Sequence, residues 1–139
     1  VLENSELMDG SYKLGGGGLC ASAVDLVRFG QALLDGRLLP PAMRQAMFTP
    51  QRTSDGNELD YGLGVRVARR DGRLVVAHSG AQSRVSTMLL MLPDAGVVVV
   101  VLCNLELVRL QPLAQQLAEL AAPPRANAMP SDLGNGSLA

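Results

Sequence analysis

The stretch Gly96-Val97-Val98-Val99-Val100-Val101-Leu102-Cys103-Asn104 is apolar at every position from Val97 to Cys103 and holds five valines in a row. β-Branched residues favour extended backbone, and a strand without polar alternation has both of its faces covered. Helices packed on a sheet are therefore expected, with this strand in a central position. The run is about seven residues long, far short of the roughly twenty that a membrane-spanning helix needs.

Upstream, Val85–Leu92 reads as a strand joined to Gly96–Asn104 through the turn-forming Pro93-Asp94-Ala95-Gly96. A second hairpin precedes it. Tyr61, Leu63, Val65 and Val67 alternate on one face of Tyr61–Val67, and Arg70-Asp71-Gly72-Arg73 turns the chain into Leu74–Ser79. Helices flank these four strands. Ser22-x-x-Asp25 resembles a capping box, and Leu26, Phe29, Gly30, Leu33 and Leu34 follow at helical spacing until Asp35-Gly36, which predicts a helix over about 22–35. Pro40-Pro41 opens a shorter helix with Met43, Ala46 and Met47 on one side as core filler, ending before Pro50, and Gln51–Asp60 is a polar surface loop. Leu113, Leu117 and Leu120 mark a closing helix over Gln111–Ala121 that Pro123-Pro124 ends. The fold class is α+β, an α/β sandwich with an antiparallel sheet of about four strands covered by helices. Residues 1–18 form a Gly-rich entry loop, 19–122 one domain, and 123–139, rich in Pro, Asn, Gly, Ser and Ala, a frayed tail.

Composition narrows the function classes. The chain has 139 residues, 47% of them hydrophobic, and a formal net charge of −1. Without a basic block there is neither a nucleic-acid footprint nor a polybasic membrane anchor. Cys20 and Cys103 have no second Cys or His nearby, so no CxxC redox site or zinc site assembles, and a disulfide between them is left open. Gly15-Gly16-Gly17-Gly18 is followed by Leu19-Cys20-Ala21 and not by the Gly-Lys-Ser/Thr of a phosphate-binding loop. No cofactor and no metal are expected.

The candidate chemistry lies in Val75–Ala81, which carries the chain's one histidine, His78. His78-Ser79-Gly80 at the end of an apolar strand places a ring, a hydroxyl and a glycine where backbone can approach a ligand. By itself a histidine beside an apolar strand is more often structural. Direct activation of Ser79 by His78 is disfavoured, because neighbours on a strand point to opposite faces.

The flanking motifs change that weighting. In order, the chain reads Gly16-Gly17-Gly18-Leu19, then Ala21-Ser22-Ala23-x-Asp25-Leu26-x-Arg28-Phe29, Tyr61-Gly62-Leu63-Gly64, His78-Ser79-Gly80, Leu92-Pro93-x-x-Gly96 and Val101-Leu102-x-Asn104. Over about residues 15–121 it resembles the C-terminal part of the serine β-lactamase-like family, in the branch of class C β-lactamases, D-alanyl-D-alanine carboxypeptidases and related esterases. The resemblance implies the C-terminal portion of a β-lactamase/transpeptidase-like fold. It also implies a cleft where a Ser-x-x-Lys nucleophile, a Tyr-x-Asn or Ser-x-Asn element and a Lys-Thr-Gly or His-Ser-Gly strand meet. On that basis the Ala81 N–H is an oxyanion donor, His78 supplies polarity or positive charge near the leaving group or a substrate carboxylate, Ser79 lies in the same strand motif, and Gly80 keeps the cleft clear.

The other two elements are missing. The sole lysine is Lys13, with Gly10 three residues before it; Tyr12 and Tyr61 are followed two residues on by Leu14 and Leu63; no Ser-x-Asn occurs. Arg84 stands about where relatives carry a glycine, which puts the local turn in question. The expectation is a C-terminal fragment of a longer hydrolase, inactive alone, whose parent takes a small-molecule ester, β-lactam or peptide. Family resemblance implies a bacterial periplasmic or secreted setting, and no signal peptide is read in these residues. The alternative is a non-catalytic binding or assembly module, self-associating or joining a partner chain through an exposed sheet edge.

Overall fold

A computed structural model describes residues 9–10, 12–13 and 15–124. Most of the expected entry loop before Gly15 and the tail from residue 125 onward lie outside the described residues.

Tight turns build the sheet. Asp71 and Gly72 both have positive φ, 46° and 79°, as a two-residue type I′ turn requires, and they join β1 (Arg66–Arg70) to β2 (Arg73–Gln82). Ser83 and Arg84 form a second two-residue loop, with Gln82 opposite Val85, and lead into β3 (Val85–Leu92). A 3-10 turn over Pro93–Ala95 then delivers β4 (Val97–Cys103). All three pairings are antiparallel in the order β1-β2-β3-β4, so the four-stranded α+β sandwich is present.

The strands differ from the sequence reading in their bounds and in the place of β4. The first strand begins at Arg66, not Tyr61, because the chain reverses over Leu63-Gly64: the Gly62 N–H donates to the Val65 carbonyl at 2.7 Å, and Tyr61 forms an isolated antiparallel bridge with Arg66. Val65 and Val67 are buried while Leu63 is exposed, so the expected four-residue stripe is broken in two. β2 runs to Gln82, three residues past Ser79. β4 is an edge strand among the described residues, not a central one, although both its faces are covered as its composition demands.

Helix α1 (Ala23–Leu34) starts as its capping signal predicts. The Ser22 hydroxyl oxygen accepts from the Asp25 N–H at 3.2 Å, which is worth about 1 kcal/mol to such a helix. α1 lies on one face of the sheet, where Leu33 joins Val65, Val67, Val76 and Met91. Gly30 permits close approach: a Cβ there would sit 2.6 Å from Cγ1 of Val98 on β4. The short helix α2 (Pro41–Met47) packs only Met47 against this core, and Met43, expected inside, is exposed.

The opposite face is covered by α3 (Gln111–Ala121). Its buried side is Ala114 and Ala118, which with the preceding Leu110 pack against Val75, Leu90 and Val99, while the predicted stripe of Leu113, Leu117 and Leu120 is 46%, 41% and 84% exposed. Small side chains let the helix sit close to the valine-rich sheet, and this turns the leucines outward.

Candidate active-site edge

The unequal lengths of β1 and β2 leave one edge of the candidate site unpaired among the described residues. Pairing between them ends at Arg66 opposite Ala77, so His78–Gln82 has no strand on its outer side among the described residues. Register then fixes which groups point there. Residues flanking a two-residue hairpin loop exchange both backbone hydrogen bonds, and orientation alternates along the strand. Starting from Arg70 opposite Arg73, residues 73, 75, 77, 79 and 81 turn N–H and C=O outward. Starting from Gln82 opposite Val85, residues 82, 80 and 78 turn theirs to β3, which gives the same parity. Ser79 and Ala81 thus present main-chain donors and acceptors at the open edge.

Side chains divide between the two faces. His78 and Gly80 share the α1 face with Val76, and His78 is exposed at a groove of about 310 Å3 lined by Leu26, Phe29, Thr87 and Leu102. His78 does not stand at a strand end as expected, because the strand continues to Gln82, and its outer edge is bare among the described residues. Ser79 and Ala81 border a cavity of about 480 Å3 on the α3 face, with Val108, Arg109 and Gln111 on its other wall. The hydroxyl of Ser79 and the ring of His78 therefore do not form a nucleophile–base pair.

Gly80 is constrained by a neighbour that the sequence reading missed. A Cβ at Gly80 would lie 2.5 Å from Oγ1 of Thr87, the residue opposite it on β3. Counting back from the Ser83-Arg84 loop gives this pairing, so the signal was present once that loop was recognised. Gln82 was missed too. Lys13 Nζ donates to its Oε1 at 2.9 Å and its Nε2 donates to the Gly17 carbonyl at 2.8 Å, which ties the glycine-rich loop to the end of the site strand.

Arg84 adopts φ 60°, a left-handed conformation that glycine accepts more readily. Its N–H donates to Glu106 Oε2 at 2.9 Å. The two-residue loop thus forms with an arginine in the left-handed position. Cys20 and Cys103 are both free, and no group of three His, Cys, Asp or Glu among the described residues is placed to hold a metal ion.

Comparison with known proteins identifies the family. The β-lactamase family model matches residues 2–122. Penicillin-binding protein 4* of Bacillus subtilis is 34% identical over 84 residues, covering 59% of this chain and 18% of that protein. The human mitochondrial serine β-lactamase-like protein LACTB is 28% identical over 156 aligned positions, covering 84% of this chain and 28% of the relative. Among solved structures, a penicillin-binding protein from Bacillus halodurans superposes with a TM-score of 0.60 at 24% identity, over 72% of this chain and 31% of its own. The D-stereospecific amidohydrolase of a Streptomyces species gives a TM-score of 0.50 at 30% identity, over 60% and 25%. The chain therefore spans less than a third of each of these proteins.

Proposed function

Because the chain belongs to the β-lactamase family, we propose that it is the C-terminal part of a serine hydrolase that cleaves an ester or amide through an acyl-serine. In this reading it supplies the oxyanion strand and one wall of the cleft. One observation carries the reading: the outward N–H of Ala81 lies on a stretch of β2 that β1 leaves unpaired. An extended substrate lying along that edge makes backbone hydrogen bonds to Ser79, which aligns its carbonyl for attack. The oxygen of that carbonyl gains negative charge in the tetrahedral intermediate and takes the Ala81 hydrogen bond, which strengthens as the charge develops. His78, on the α1 face, contributes a polar group to a mostly apolar groove.

The nucleophile comes from polypeptide outside these residues, since no Ser-x-x-Lys occurs in them. Small esters, β-lactams and peptides are the substrate classes. The test is hydrolysis of a chromogenic ester and a chromogenic β-lactam by the 139-residue polypeptide. Rates equal to buffer are expected. Turnover well above buffer that survives both His78→Ala and Ser79→Ala sinks the assignment.

A second reading, a non-catalytic assembly module, is favoured by the outer edge of β4, which lacks a strand partner among the described residues.

A further inference from the structure

The Gly80–Thr87 pair does more than fill space. Thr87 is opposite Gly80 in the register of β2 and β3, and its hydroxyl donates to the Gly80 carbonyl oxygen at 3.4 Å. That carbonyl faces β3 and already takes the ladder bond that the register assigns to it, so the hydroxyl engages its second lone pair. The Gly80 carbonyl and the Ala81 N–H belong to one peptide group. In a trans peptide they point to opposite sides, the oxygen into the sheet and the N–H out to the open edge.

We propose that Thr87 is a positioning residue for the Ala81 N–H, fixing the plane of the Gly80–Ala81 peptide and polarising it through the carbonyl. Hydrogen bonds that share a polarisable group strengthen one another by on the order of 10–30%. A donor held in advance at the open edge also loses little on reorganisation when charge appears. The glycine follows from the same device. Any side chain at position 80 would take the space of the Thr87 hydroxyl, with only 2.5 Å between a Cβ and Oγ1. Gly80 is thus required by the sheet behind the site as well as by the cleft in front. The functional meaning rests on Ala81 as oxyanion donor, whereas the link between Thr87 and Ala81 is measured without any hydrolysis.

The experiment compares 1H–15N spectra of the full chain with its Thr87→Val and Thr87→Ser variants. Valine keeps the branched shape and removes the hydroxyl; serine keeps the hydroxyl and removes the methyl. The expected result is an upfield shift of the Ala81 amide proton in Thr87→Val, larger than that of Ser79 on the same edge, and a resonance near its original place in Thr87→Ser. An unmoved Ala81 amide in Thr87→Val, or an equal shift in both variants, overturns the proposal. Gly80→Ala is expected to lower the melting temperature and to be partly rescued by adding Thr87→Ala. Without that rescue, Thr87 is not what excludes a side chain at position 80. If the Ala81 shift behaves as expected while the isolated chain hydrolyses substrate independently of His78 and Ser79, the positioning stands and the oxyanion role falls.

Discussion

Ala81 and His78 lie three residues apart on β2, yet the register gives their backbones opposite duties. The Ala81 N–H faces the open edge and has no ladder bond to lose among the described residues, while that of His78 faces β3. Proline is tolerated in strands where the N–H points away from the sheet. Ala81→Pro is therefore expected to cost about 1 kcal/mol, and His78→Pro about 3 kcal/mol or more, as urea unfolding would measure. Equal costs would mean the parity is wrong and Ala81 offers nothing at the edge. A second residue supports the far wall of the site. Ser86 is buried, donates to the Leu105 carbonyl at 2.8 Å and accepts from the Val108 N–H at 3.4 Å, holding the segment that leads to Arg109. Ser86→Ala is expected to lower stability by about 1 kcal/mol. It should also raise hydrogen exchange at Val108, which a purely local packing loss would leave protected. Strand alternation alone separated the faces of His78 and Ser79. Thr87 escaped that reading because its contact depends on register, which a residue pattern within one strand does not carry.

Local signals placed the elements, and tertiary packing decided their edges and faces. The Ser22 cap and the Asp71-Gly72 turn lie where the sequence puts them, since each is determined within four residues. Tyr61-Gly62-Leu63-Gly64 mimics a strand by alternation, but the Met47 carbonyl occupies the space of a Gly62 side chain and the segment folds back. On α3 the leucine stripe has the expected period and the wrong partner, because alanines give the closer fit to the sheet. Gly30 tests the same principle on α1. Glycine in a helix normally costs about 1 kcal/mol relative to alanine, whereas overpacking costs about 1–3 kcal/mol. With Val98 Cγ1 2.6 Å from the added carbon, the clash wins, and Gly30→Ala is expected to destabilise by about 1 kcal/mol. Adding Val98→Ala should remove that clash and expose the helix-propensity gain, so the two substitutions should couple favourably in a double-mutant cycle.

Among the described residues, apolar surface is left uncovered on the outer edge of β4, on α1 and on α3. The outer edge of β4 is seven residues without a proline, a charge or a partner strand among those described. Val24 and Phe29 on α1 are exposed, as are Leu113, Leu117 and Leu120 on α3. Proteins that stay monomeric protect long apolar edges with charges, prolines or covering segments, and large exposed apolar patches mark contact surfaces. These surfaces lack cover among the described residues. The 139-residue polypeptide is therefore expected to show a weight-average mass that rises with concentration in sedimentation and to bind an exposed-hydrophobe dye. Leu117→Glu with Leu120→Glu should reduce both signals while leaving the melting temperature nearly unchanged, because neither leucine belongs to the buried side of α3. A monomer at all concentrations that binds no dye would rule out the exposed-surface account and with it the assembly reading. Loss of association together with loss of folding in the double variant would instead place those leucines inside the core.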